Sequence, residues 1–245
     1  KKPLILKYLR SGKIKLMKKN KFIFVACDTS SIKQVKKILK NTKTNKLKII
    51  PKFGYQFFYS KYGRKFLEQY KSPFFLDIKI MDVKNTAENA INSIKDLKGC
   101  RYITAHAHGG SKMMKAVVKK ARSLKKLVLG VSVLTSLDNK AIKELGHTKT
   151  VNAIVLKQAG LIKKAGCYGI VASAHEAKII KKKYKKLFVV TPGIRLPGDN
   201  KDEQSRVVTP YDAFYKYKVD AVVIGRSLTR HNVKRNLKKL IDHLN

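Results

Sequence analysis

Four charged residues stand at spacings that chemistry could use. Asp77, Lys79 and Asp82 fall within the run FFLDIKIMD, and Lys52 lies in an earlier apolar run, LKIIPKF. In an extended chain, residues two apart point to one face, so Asp77 and Lys79 are expected to share one. A carboxylate and an ammonium taken out of water are costly unless they pair. With Lys52 on a neighbouring strand and Asp82 just past the strand end, they can form an alternating Lys-Asp-Lys-Asp array. Such an array keeps every member charged. It holds an ammonium ready to donate a proton and sets a fixed negative charge beside whatever binds there. The plain alternative is an ion-pair network that only closes the end of the fold.

A second group suits an anion. Arg195 follows a Thr-Pro-Gly turn, and Gly225-Arg226 ends an apolar run, where peptide N–H groups and a guanidinium can hold a phosphate. His106 and His108 form an HxH pair, but no third ligand stands at metal-site spacing, so packing and loop hydrogen bonds are expected of them rather than a metal. Cys27, beside Asp28, is expected to point away from it as a buried thiol.

The elements that must carry these groups are legible as a period. Eight β-rich apolar runs, at 22–28, 47–53, 74–80, 102–107, 128–134, 169–173, 187–191 and 221–226, read as strands. Helical spacing fills 31–40, 63–70, 86–97, 111–124, 151–165, 175–184 and 232–244, with a short extra helix over 138–146. Strand–helix alternation implies a parallel sheet, and eight units in 245 residues fit a single-domain α/β protein of the (β/α)8 TIM-barrel class. Residues 1–20 read as an extension carrying an added N-terminal helix. A doubly wound sheet is the alternative, although the turn after the first strand, CDTSS, has no glycine for a nucleotide-binding loop. Pro51 removes a ladder donor and is expected near a strand start or an irregularity. In a barrel, chemistry sits at the C-terminal strand ends, and that is where Asp28, Lys52, Asp77, Lys79, Asp82, Thr135, Arg195 and Arg226 fall.

Composition narrows the classes further. Lysine and arginine total 56 against 15 acids, a net charge of +41, yet 44% of residues are hydrophobic, too many for a disordered polycation. The cations are 47 lysines and nine arginines spread along the chain, which reads as a solvated surface with weak, salt-sensitive, non-specific affinity for nucleic acid. Three cysteines, Cys27, Cys100 and Cys167, without a CxxC spacing argue against a disulfide scaffold and fit a reducing, cytoplasmic setting. No apolar run is long enough to span a membrane. The basic start is too broken for a secretory signal and leaves an organelle-targeting segment open.

From about residue 22 to 230 the chain resembles the orotidine 5′-phosphate decarboxylase family, of the ribulose-phosphate-binding barrel superfamily. The segments that carry the likeness are VACD (25–28), PKFGYQFF (51–58), FFLDIKIMDVKNT (74–86), HAHGG (106–110), VSVLTSLD (131–138), GIVASAHEA (169–177), TPGIR (191–195), EQSRVVTP (203–210) and VVIGR (222–226). The resemblance implies a cofactor-free, metal-free decarboxylation of orotidine 5′-monophosphate to uridine 5′-monophosphate in pyrimidine synthesis. It implies that Lys79 protonates C6, that Asp77 lies against the departing carboxylate, and that Lys52 and Asp82 complete the charged array. Asp28 would bind a ribose hydroxyl, and Thr135 would contact the pyrimidine edge. Gln204, from a mobile loop at 196–206, would bridge base and phosphate, while Arg195, Gly225 and Arg226 would grip the phosphate. Asp82 and Thr86 would come from the partner in a homodimer. The chain departs from the family's usual DIPNT at Asp82-Val83-Lys84-Asn85-Thr86, carries Met81 where His is frequent, and has Glu203 before Gln204 in place of Asp. A sugar-phosphate decarboxylase or aldolase-type barrel with the same DxKxxD core is the alternative within the superfamily, though such relatives carry an acid and a metal where this chain has Lys52. An inactive basic barrel that binds nucleic acid is the alternative from another class.

Overall fold

The structure is a computed structural model that describes residues 21–199 and 208–245. The expected N-terminal helix within 1–20, most of the 196–206 loop and Gln204 lie outside the described residues. Eight parallel strands close into one barrel in chain order: β1 (Phe22–Ala26), β2 (Lys48–Gly54), β3 (Phe74–Ile80), β4 (Cys100–His106), β5 (Leu127–Val131), β6 (Gly169–Val171), β7 (Phe188–Thr191) and β8 (Ala221–Ile224). The sequence places every strand, with ends shifted by up to three residues. Short helices at Tyr55–Phe58, Pro210–Tyr215 and Arg226–Thr229 go unanticipated, because four to six residues are too few to show a period.

Pro51 is the fourth residue of β2, not its start or an irregularity, and it pairs with Val25 of β1. The reason lies in the ladder. The Lys52 carbonyl accepts the Cys27 N–H at 2.9 Å, so Lys52 turns its peptide groups toward β1 and Pro51 turns its own toward β3. Pairing between β2 and β3 begins only at Lys52, so the missing N–H of Pro51 interrupts nothing.

Alternation along the strands sorts two cores. Phe22, Phe24, Ile50, Phe75, Tyr102, Leu129, Val190 and Ala221 point inward and fill the barrel interior. Phe24 meets Phe75 and Tyr102 edge-on, at centroid distances of 4.8 and 5.3 Å. Their neighbours in sequence point outward against the helices, in a larger layer that includes Ile23, Val25, Phe53 and Leu76. One step of two residues above the inner plug lies the barrel mouth. Ala26 follows Phe24, Lys52 follows Ile50, Asp77 follows Phe75, Val131 follows Leu129 and Val223 follows Ala221, and all five line the mouth cavity.

The scarce acids hold defined posts elsewhere in the frame. The Ser173 hydroxyl takes the Glu176 N–H while the Glu176 carboxylate takes the Ser173 N–H, a capping box that starts the helix Ala174–Lys183. Asp220 takes the Val189 N–H at 2.8 Å and pairs with Lys181, tying β7 to the turn before β8.

Candidate active site

The C-terminal mouth of the barrel holds a cavity of about 320 Å³, within the range of small-molecule sites. One end of it is a chain of alternating charges. Lys52 Nζ lies 3.2 Å from Asp28 Oδ1 and 3.4 Å from Asp77 Oδ2, and Lys79 Nζ lies 3.1 Å from Asp77 Oδ1. The order is Asp28–Lys52–Asp77–Lys79. The fourth member within this chain is therefore Asp28 and not Asp82, which is exposed and makes no ion pair among the described residues. Asp82 Oδ1 instead accepts the N–H of Val83 at 2.6 Å.

Lys52 is 7% exposed, and Gly54 stands two residues on. A Cβ at Gly54 would stand 3.2 Å from Asp28 Oδ1, a tight contact, and 3.5 Å from Lys52 Nζ, an ordinary one, so the glycine gives the ion pair room. Burial works to lower the Lys52 pKa, but Asp77 and Asp28 outweigh it and hold it above the ordinary lysine value. Burial likewise works to raise the Asp77 pKa, yet Lys52 and Lys79 outweigh it and hold the carboxyl below the usual carboxylate range. Both groups stay charged because the array is complete.

Asp77 and Lys79 do share a face, but not through plain alternation. β3 breaks register with β4 between Leu76 and Ile80: Leu76 pairs with Ile103 and Ile80 with Ala105, so three residues face Thr104 alone. Lys79 takes a left-handed backbone, with φ at 40°. Thr104, fully buried, holds this bulge together. Its hydroxyl accepts the Lys79 N–H at 2.8 Å and donates to Asp77 Oδ1 at 3.0 Å. Sequence reasoning missed Thr104; its signal was a threonine between Ile103 and Ala105 in the strand run YITAHA. Tyr55, on the short helix after β2, was missed too, and Lys79 Nζ lies 5.4 Å from the centroid of its ring.

The opposite end of the cavity carries Arg195, Gly225 and Arg226, with Gly193 at φ 78° in the turn before Arg195. Thr135, Val131, Val133 and Leu134 form a wall between the two ends. Eight of the eleven expected residues thus meet in one cavity: Asp28, Lys52, Asp77, Lys79, Thr135, Arg195, Gly225 and Arg226. Asp82 and Thr86 lie exposed outside it, and Gln204 is not among the described residues.

His106 and His108 hydrogen-bond to each other through their Nδ1 atoms at 3.0 Å, one necessarily donating and one accepting, and the Gln158 amide nitrogen lies 3.2 Å from His108 Nε2. Burial, then His108, then Lys79 push the His106 pKa down to about 4, so its ring is neutral at pH 7. Cys27 is buried, and burial followed by the charge of Asp28 pushes its thiol up to about 12.

The comparisons with known proteins agree with this geometry. The family described as "Orotidine 5′-phosphate decarboxylase / HUMPS family" matches residues 21–239. The chain belongs to this family. The "Orotidine 5′-phosphate decarboxylase" of Wolbachia sp. subsp. Brugia malayi is 36% identical over 222 residues, spanning 89% of this chain and 96% of that protein. The protein of the same description from Coxiella burnetii is 39% identical over 180 residues, 70% of this chain and 75% of its own length. Among solved structures, orotidine 5′-phosphate decarboxylase from Lactobacillus acidophilus superposes with a TM-score of 0.76 at 27% identity, covering 92% of this chain and 99% of that one.

Proposed function

We propose that this chain decarboxylates orotidine 5′-monophosphate to uridine 5′-monophosphate, with Lys79 as the proton donor. The observation that carries the reading is the pairing of two ends in one cavity: a complete Asp28–Lys52–Asp77–Lys79 chain at one and Arg195, Gly225 and Arg226 at the other. The phosphate is gripped at the arginine end, and the pyrimidine lies across the Thr135 wall with its carboxylate toward Asp77. Asp28 and Lys52 meet the ribose hydroxyls. The bond from C6 to the carboxylate breaks, carbon dioxide leaves, and the electron pair stays on C6. The Lys79 ammonium then supplies the proton to that carbon. The fixed charge of Asp77 disfavours the carboxylate in the ground state, and Lys79 favours the negative charge that develops at C6 in the transition state.

Lys52 separates this chemistry from that of a metal-dependent sugar-phosphate barrel. Its ammonium lies between Asp28 and Asp77, where a bound cation would otherwise have to stand. We further propose a homodimer in which Asp82 and Thr86 complete the partner's site. Residues 81–86 form an unbroken exposed stretch, in which Met81 and Val83 are 57% and 70% exposed. Among the described residues no helix is long and apolar enough to cross a membrane. A cytoplasmic setting fits three cysteines that are all free thiols.

The test follows the loss of absorbance as orotidine monophosphate is consumed, with and without a chelator. Turnover that is indifferent to chelator is expected. Absent turnover, or turnover abolished by chelator, would reject the assignment.

A further inference from the structure

Four of the nine arginines, in a chain with 47 lysines, line a single cavity. It measures about 480 Å³ and lies directly outside the phosphate end of the active site, sharing Arg195 and Arg226 with it. Beyond those two, Arg230, Arg235 and Lys239 continue the lining, and among the described residues Asp199 is its one carboxylate, accepting a hydrogen bond from the Ser227 hydroxyl. Arg235 and Lys239 are four apart on the helix Val233–Leu244 and so share a face. The opposite face buries Val233, Leu237, Leu240 and Leu244, which fixes the helix to the barrel and presents the cations on a rigid support.

This concentration is not the general basicity of the chain. The cavity at the opposite end of the barrel is also cationic, but by lysine: Lys71, Lys95, Lys98, Lys125 and Lys126, with Arg101 as its one arginine. Arginine differs from lysine in presenting a planar fork that matches phosphate oxygens two at a time. A monophosphate is served by the shared pair Arg195 and Arg226. The three cations beyond it line the adjoining cavity, which a longer phosphate chain could enter.

We propose that this outer cavity binds the terminal phosphates of a pyrimidine nucleoside 5′-di- or triphosphate whose base and first phosphate occupy the active site. The inference rests on the assignment of Arg195 and Arg226 to the 5′-phosphate. Phosphoryl transfer onto the reaction product would generate such ligands, and they would compete with the substrate.

The experiment measures inhibition of orotidine monophosphate turnover by uridine mono-, di- and triphosphate, at fixed ionic strength and with EDTA, so that the phosphates are free of metal. The inhibition constant is expected to fall about tenfold or more from mono- to triphosphate. The double variant Arg235→Gln, Lys239→Gln should raise the triphosphate constant about tenfold, while the substrate KM and the monophosphate constant move by less than about twofold. The variant Lys95→Gln, Lys98→Gln, equal in charge removed but at the far end, should change none of these. A triphosphate that binds no better than the monophosphate would overturn the proposal, and so would equal losses in the two double variants. If the protein fails to turn over orotidine monophosphate at all, the fault lies in the assigned reaction, and calorimetry with inorganic tripolyphosphate then tests the cavity directly. Weaker binding in the Arg235/Lys239 variant alone would sustain the outer site, and no difference between the variants would overturn it.

Discussion

Asp77 is approached from three sides, by Lys52, Lys79 and the Thr104 hydroxyl, and its charge organises the site. Its lowered pKa contributes stability that is fully present above the ordinary value of 3.8 and is lost as pH falls through the folded value. The raised pKa of Lys52 contributes stability present below 10.5 and lost as pH rises through its folded value, so the pair is intact across the neutral range. Lys79→Ala should reduce kcat by more than about a thousandfold while uridine monophosphate binding, measured by calorimetry, stays within a few-fold, because the phosphate end is untouched. A variant that keeps a tenth of the activity would remove Lys79 from the chemistry. His106 gives a second prediction. The unfolded chain binds its proton below pH 6.5 and the folded one only near pH 4, so stability rises with pH across that window. His106→Gln should therefore lose less stability than the parent between about pH 7.5 and about pH 5, as read from urea midpoints.

The element that decides the site's shape is β3. Three residues bulge opposite Thr104, and the ladder hydrogen bond that Lys79 would make in a regular strand passes to a side-chain hydroxyl instead. Thr104→Val keeps the shape but leaves the Lys79 N–H and one lone pair of Asp77 without that partner. An orphaned buried group costs about 1–3 kcal/mol, so the midpoint of urea unfolding should fall accordingly. Because Lys79 carries the proton and Thr104 fixes its backbone, kcat should also drop more than tenfold by rough expectation, with KM changed far less. Thr104→Ser, which restores the hydroxyl, should recover most of kcat. A Ser variant as slow as the Val variant would mean that the hydroxyl does not position Lys79.

Across the whole molecule, Lys79 lines its own cavity while Asp82 is exposed outside it, so the shared-site dimer makes a countable prediction. Homodimers of Lys79→Ala or of Asp82→Asn are defective at both sites. In a mixed dimer one site collects both defects and the other collects neither. Equal amounts of exchanging subunits form about half mixed dimers, each with one intact site, so activity should return to about a quarter of the parent's by two-fold symmetry. No recovery in a mixture shown to contain the mixed dimer would place Asp82 in the service of its own chain.

The eight-strand period, the barrel class and the polar residues at the strand ends were all legible in the order of residues, because each rests on local alternation and on how few acids the chain has. The matched pair of ends was legible too, since the strand that carries Asp77 and the strand that leads into Arg226 take their places in the barrel in chain order. Three things depended on atoms brought together from distant strands. Asp28 joins Lys52 and Asp77 within one chain, beside a glycine at 54 that leaves the pair room. Asp77 and Lys79 meet through a bulge pinned by a threonine one strand away, where simple alternation had suggested a regular strand. The four arginines gather at one cavity only when the segments after β7 and β8 and the last helix come together; in the sequence they are spread over residues 195–235. Local periodicity sets which face a side chain takes, but which charges meet depends on register and on the space a neighbour leaves, and both are properties of the closed barrel.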